Sequence, residues 1–235
     1  MINVVLVETC GEENIGSIAR AMANMGVSNL ILVNPLCDYL SSNSLKFALS
    51  AYYILKNAIV YRDFLSIKNN GDLSIAISRR AGRKRINDII LPELPDFLNF
   101  YQNIRINLVF GREANGLTND EIEKCDLICS IPSSENFPSL NLSHAVIVVL
   151  YEIFKNNYKK EIKDFDINNF NNLYTNIINT LSKMNFFKNS KPQIIKNFIK
   201  KILLRAKLND FEIKVISNIF SSINGMLTID KKKEQ

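Results

Sequence analysis

The chain has 235 residues, 47% of them hydrophobic and 22% charged, with a net charge of +6, a composition that builds a core and excludes a disordered chain. No run approaches the roughly 18 uninterrupted apolar residues of a membrane span, and four cysteines without a CxxC, beside the single His144, argue against a zinc site and against a disulfide framework. The opening apolar run lacks a basic leader and is followed by acidic residues, so it reads as a strand and not a signal peptide, with the cytoplasm as the expected compartment.

Residues 3–8 form a short, continuous, β-branched run, the pattern of a buried strand. Ile15, Ile18, Ala19, Met22 and Met25 then recur at helical spacing, which predicts a helix from about Asn14 to Met25 with Gly26 just past its end. Leu30–Val33 is the next strand, residues 43–55 one helix, and residues 58–61 and 73–77 two more strands. Residues 107–110 and 127–131 complete the set, with a capping box at Thr118 to Glu121 opening a short helix between them. A long apolar helix runs from Asn141 to about Tyr158. Strands alternating with helices predict an α/β fold whose parallel sheet is covered on both faces.

Residues 159–168 read as a polar linker between a first domain, 1–158, and a helical extension, 169–235. Three apolar faces follow: Leu173 to Leu181, Ile194 to Leu203, and Phe211 to Ile223. Ser190 before Pro192 suits a helix start, and Asn224 with Gly225 a stop.

Charge is unevenly spread. Residues 160–235 carry 14 Lys/Arg against 7 Asp/Glu, a net of +7, whereas residues 1–159 carry 15 against 16. Inside that balanced first part, Arg79, Arg80, Arg83, Lys84 and Arg85 crowd directly after a strand. Such a cluster suits a polyanion.

Three islands of glycine and polar residues end the apolar runs: Asn14, Gly16 and Arg20; then Phe110, Gly111, Arg112, Glu113, Asn115, Gly116 and Leu117; then Ile131, Pro132, Pro138, Ser139, Leu140 and Asn141. In an open α/β sheet ligands bind where strands release the chain. Neither a GxGxxG after the first strand nor a P-loop is present. A catalytic triad would have to use His144, which lies in an apolar helix. Ser139 suits a helix N-cap, with Asn141 in the first turn. Arg20, flanked by small apolar residues, is the pattern of a specific anion or carboxylate binder.

The three islands together resemble, in order and spacing, the motifs of the SpoU/TrmH branch of the SPOUT methyltransferases. The FGRE form of the second motif and the helical extension, with Phe186, Phe187, Arg205 and Glu212, resemble its TrmJ group of tRNA ribose 2′-O-methyltransferases. That resemblance implies a trefoil-knotted domain binding S-adenosylmethionine (SAM), a small all-α C-terminal domain, a homodimer with a shared active site, and no metal. By motif position Ile77, Ser78, Arg79, Gly111, Ile131, Pro138, Ser139 and Leu140 would hold SAM. Arg20, Ser139 and Asn141 would form the catalytic centre. Asn14, Arg20, Arg80, Arg83, Lys84, Arg85, Glu113 and Arg205 would meet the RNA, with Glu113 and Asn115 supporting the second-motif loop or lying near the substrate. The implied substrate is tRNA at position 32 of the anticodon loop, cytidine or uridine. Ribosomal RNA is the alternative target, and a non-catalytic RNA-binding protein on the same fold is the alternative class. A nucleotide-dependent α/β enzyme of other chemistry is the remaining rival.

Overall fold

The computed structural model describes residues 1–78, 88–101, 103–156, 166–187 and 191–233. The chain divides into two compact units, Met1–Lys163 and Asp164–Gln235. Among the described residues of the first, the strands are β1 (Ile2–Val7), β2 (Asn29–Val33), β3 (Ile59–Tyr61), β4 (Leu73–Ile77), β5 (Ile89–Ile90), β6 (Ile106–Phe110) and β7 (Leu127–Ser130). They form one sheet in the order β3–β2–β1–β6–β4–β7–β5, every pairing parallel. Burial explains their composition. β4 and β6 are buried at every residue, as strands covered on both faces must be.

Three buried polar side chains interrupt this apolar sheet in one cross-strand row. Asn107 of β6 pairs in register with Asn3 of β1 and Ser74 of β4. Its Oδ1 accepts from Asn3 Nδ2 at 2.8 Å, and its Nδ2 donates to Ile67 O at 2.9 Å and Ser74 Oγ at 3.3 Å. Asn3 Nδ2 also donates to Asn70 O at 2.7 Å. Each amide is therefore satisfied, which buried polar groups require.

The first unit's helices are α1 (Glu12–Asn24), α2 (Ser42–Ala48), α3 (Tyr52–Lys56), α4 (Leu94–Phe100), α5 (Asn119–Lys124) and α6 (Leu142–Asn156). α1 buries Ile15, Ile18, Ala19 and Met22, and ends before Gly26, whose φ of +69° suits glycine. The single helix expected over 43–55 is instead two, divided at Leu49 (φ +51°) and a 3-10 turn over Leu49–Ala51. The positive φ of Leu49 interrupts the helical hydrogen-bond ladder, while Ala48, Ala51, Ile54 and Leu55 stay buried across the break. β5 and α4 are too short and too proline-punctuated for periodicity to find. Pro95 sits in the first turn of α4.

α1 meets α2 at Gly16. A Cβ there would lie 2.3 Å from Ser44 O and 2.7 Å from Phe47 Cβ. Gly16→Ala should gain about 1 kcal/mol of helix propensity but lose more to this backbone clash, for a net destabilisation of about 1–2 kcal/mol. Urea unfolding checks it; an unchanged midpoint would mean the helices separate freely.

In the second unit lie α7 (Ile167–Lys183), α8 (Pro192–Ala206) and α9 (Asp210–Lys233). α7 starts inside the expected linker because Asp166 caps it, its Oδ1 accepting from the N–H groups of Asn168 and Asn169 at 2.8 and 3.2 Å. Lys191, not Ser190, holds the N-cap position of α8; residues 188–190 lie outside the described residues. α9 passes through Asn224 and Gly225 rather than stopping there. Asn224 Nδ2 donates to Asn176 Oδ1 and Thr180 Oγ1 of α7, so the side chain that would have ended the helix is committed to packing. The isolated glycine costs only about 1 kcal/mol. Of the face expected on α8, Leu203 is buried while Ile194, Phe198 and Ile202 are exposed.

Candidate active site

β4, β6 and β7 release the chain at the same sheet edge, and a cavity of about 590 Å³ opens there. Its wall takes Ile77 and Ser78 from the end of β4, the loop Gly111 to Gly116 from β6, and Ile131 with Pro138, Ser139 and Leu140 from beyond β7. Leu142 and Ala145 of α6 complete it. Two glycines shape the β6 loop for different reasons. Gly116 adopts φ +66°, which side chains resist. Gly111 is needed for space: a Cβ would lie 2.1 Å from Gly116 C and 2.2 Å from Leu117 N. Between them the backbone closes on itself, Arg112 N donating to Gly116 O at 3.3 Å and Gly116 N to Arg112 O at 2.9 Å.

Arg112 fastens this loop to its neighbours. Its Nε donates to Glu8 Oε2 at 2.7 Å; Nη1 and Nη2 donate to Glu121 Oε2 and Oε1 at 3.0 and 2.8 Å; Nη1 also reaches Gly116 O at 3.2 Å. Glu121 is itself held by the capping box of α5: its Oε2 accepts from Thr118 N at 2.7 Å, and Thr118 Oγ1 accepts from Glu121 N at 3.2 Å. One guanidinium thus joins the ends of β1 and β6 to α5. Burial alone would push the Glu121 carboxyl up, but Arg112 and the Thr118 N–H hold it below the usual range. Glu8 is lowered chiefly by its bond to Arg112.

Arg112→Ala should destabilise the chain by on the order of 2–4 kcal/mol, less than for a fully buried pair because Glu8 is about one-third exposed. Both carboxyls have folded values below their unfolded ones near 4.3. Their contribution is therefore present above that value and lost as pH falls through the lowered one. The gap in stability between wild type and variant should shrink below pH 4 in unfolding titrations. A gap constant from pH 7 to pH 3 would show that the ion pairs are not its source.

The three islands are wired together by amides. Glu113 Oε1 accepts from Thr9 Oγ1 at 2.8 Å, Gly11 N at 3.2 Å and Asn14 Nδ2 at 3.3 Å; Oε2 accepts from Cys10 N at 3.4 Å and lies 3.5 Å from Cys10 Sγ. Asn14 Oδ1 in turn accepts from Asn141 Nδ2 at 3.0 Å. Asn141 is the cap of α6, not a first-turn residue: its Oδ1 accepts from Ser143 N at 2.8 Å, and its carbonyl from Ala145 N at 2.9 Å. Ser139, expected as the cap, lies on the cavity wall instead and is exposed. Burial raises the Glu113 carboxyl, but Thr9, Asn14 and the local backbone N–H groups outweigh it and hold the group below its ordinary range.

Arg20 is exposed on α1, not among the residues that line the cavity, and about 9 Å along the helix axis from Asn14. His144 is exposed on α6. Arg205 is exposed on α8 of the second unit. Arg79, Arg80, Arg83, Lys84 and Arg85 lie outside the described residues. Among the described residues no group of three His, Cys, Asp or Glu could hold a metal ion, and no helix is long and apolar enough to cross a membrane. Reading the motifs one by one missed Arg112 as a fastening. The signal was there: the acid of the capping box stands nine residues on, and Glu8 ends the first strand.

Residues 1–151 match the model of the SpoU rRNA Methylase family. The chain is 40% identical to the tRNA (cytidine-2′-O-)-methyltransferase TrmJ of Methanocaldococcus jannaschii over 71% of this chain and 73% of that protein. It is 30% identical to the tRNA (cytidine/uridine-2′-O-)-methyltransferase TrmJ of Salmonella typhimurium over 94% and 96%. A solved structure described as a probable methylase family protein from Haemophilus influenzae superposes with a TM-score of 0.72, at 31% identity, covering 97% of this chain and 98% of that one.

Proposed function

We infer that this chain, which belongs to the SpoU rRNA methylase family, is an S-adenosylmethionine-dependent tRNA ribose 2′-O-methyltransferase, and that its target is position 32 of the anticodon loop. The observation that carries the reading is the cavity walled jointly by the second and third islands, with the first island tied to both through Glu113 and Asn141. The alternative of a silent RNA-binding protein is disfavoured by the same wiring, which ties Glu113, Asn14 and Asn141 of the three islands together.

The cavity suits SAM. Its volume of about 590 Å³ falls in the range of cofactor sites. At Gly111 there is no room for a side chain, so the wall there is backbone that a flat ligand can approach closely. Ile77, Ser78, Gly111, Ile131, Pro138, Ser139 and Leu140 hold the cofactor in this reading, together with Arg79. When bound, SAM supplies an electrophilic methyl group for attack by a ribose 2′-oxygen.

The protein's own part is to position and to stabilise charge. Arg20 holds a substrate phosphate and opposes the negative charge that develops on the 2′-oxygen. Ser139 and Asn141 orient the ribose. Glu113, already accepting several donors and held acidic, is a weak base, which leaves a substrate phosphate or water to take the hydroxyl proton. Because Arg20 lies off the cavity wall of its own chain, we assign the complete site to a homodimer in which one protomer lends Arg20 to its partner. The trefoil knot, the cytoplasmic location, and tRNA binding by the helical extension with Arg205 and the basic residues 79–85 belong to the same proposal. Backbone contacts of that kind make binding salt-sensitive.

The test is methyl transfer from labelled SAM to unmodified tRNA and to ribosomal RNA, with nuclease digestion to locate the product. A 2′-O-methyl nucleotide at position 32 of tRNA is expected. Transfer only to ribosomal RNA would replace the substrate, and transfer to neither, with SAM bound, would refute the assignment.

A further inference from the structure

We propose that Phe137 is the platform on which the base of the target nucleotide stacks, an inference that rests on the ribose-methyltransferase reading of the site. Phe137 is 82% exposed, more than any other large apolar side chain among the described residues. It directly precedes Pro138, Ser139 and Leu140, which wall the cavity. The loop that carries it is fastened across its base, Ser133 Oγ donating to Pro138 O at 3.0 Å. The following proline also restricts the Phe137 backbone to extended conformations. Phe137 thus stands next to the cavity wall along the chain, with its ring left in water.

Chemistry says what arrives at that wall. A nucleotide that presents its 2′-hydroxyl to the cavity carries its base on the adjacent sugar carbon, so the base must lie within a few ångströms of the reacting oxygen. Anticodon-loop bases are single-stranded and can splay onto aromatic faces. The surroundings favour a base over a protein surface. Ser133, Ser134, Glu135 and Asn136, the four residues before Phe137, are all polar and exposed, so the chain leading to the ring adds none of the apolar surface found at the core of a protein interface. Stacking is tolerant of base identity, so this contact fixes the position of the nucleotide and leaves cytidine and uridine nearly equivalent.

The full-length chain and its Phe137→Ala and Phe137→Tyr variants distinguish the possibilities. Three readouts are needed: KM and kcat for unmodified tRNA, SAM Kd by calorimetry, and mass by light scattering. Phe137→Ala should raise KM for tRNA at least about fivefold, the low end of what one base–aromatic stack contributes. SAM Kd and mass should stay unchanged, and Phe137→Tyr should restore KM. An unchanged KM would overturn the proposal. So would a halved mass, which would assign the ring to a contact between copies, or a parallel rise in SAM Kd, which would make it a prop for the loop. Those results require an active wild type. An inactive wild type with SAM bound would instead refute the reading of the site, and the stacking with it.

Discussion

Arg20→Ala is expected to lower kcat for methyl transfer by on the order of 10²–10³-fold, the loss typical of removing a donor that stabilises developing oxyanion charge. SAM affinity should stay within about twofold of wild type. The two effects separate because Arg20 is exposed on α1 and absent from the cavity wall. Its removal leaves every proposed cofactor contact in place. Arg20→Lys should recover only part of the rate, since an ammonium keeps the charge but not the planar fork that grips a phosphate. Single-turnover kinetics with calorimetry on the same preparation decides the matter. Near-normal turnover, or SAM affinity falling together with kcat, would remove Arg20 from the catalytic centre. Mixing Arg20→Ala with a second inactive variant such as Asn141→Ala tests the shared site. Mixed dimers should regain part of the activity if each active site draws on both protomers.

The second large effect is on the cofactor. Gly111→Ala should weaken SAM binding at least about tenfold, because the new methyl would meet Gly116 C at 2.1 Å and Leu117 N at 2.2 Å. Those are backbone atoms of the loop that forms the cavity wall, so the loop itself must move. Moving it also strains the grip of Arg112 on Glu8 and Glu121. Gly116→Ala is the informative contrast. Nothing lies within 4 Å of its absent Cβ, but its φ is +66°, so the substitution costs about 1–2 kcal/mol of conformational strain without a clash. SAM affinity should suffer much more in Gly111→Ala than in Gly116→Ala. Equal losses in the two would mean that loop conformation, not space, governs binding.

Much of this arrangement was legible because its signals are local. Continuous β-branched runs gave the buried strands, and Thr118 with Glu121 gave a capping box that the structure forms in both directions. The spacing of the islands marked the sheet edge where the cavity lies. What stayed hidden depends on contacts far apart in sequence. Nothing near Leu49 says that its helix must break; the break appears only in the fold, as a positive φ at Leu49 followed by a 3-10 turn. Asn141 looked like a first-turn residue because Ser139 is as good a cap by type. Only the fold shows that Asn141 has Asn14 to bond, 127 residues away. Asn224 and Gly225 read as a stop until α7 claims the asparagine. Arg112 was visible as a letter of its motif but not as the fastening between two strand ends and a helix.

The polar row of Asn3, Asn107 and Ser74 reaches further than its own end of the sheet. Side chains alternate across a strand, so a slip of one residue in β6 would turn the Asn107 amide into the opposite apolar layer and leave Asn3 without its partner. The same slip would displace Phe110 and the loop behind it by about 3.3 Å relative to Ile77 of β4, and the two sides of the cavity would no longer face each other. Those three side chains act as a gauge: the strands are aligned at one end, and the accuracy of that alignment is read out at the other, where the methyl group must be handed over.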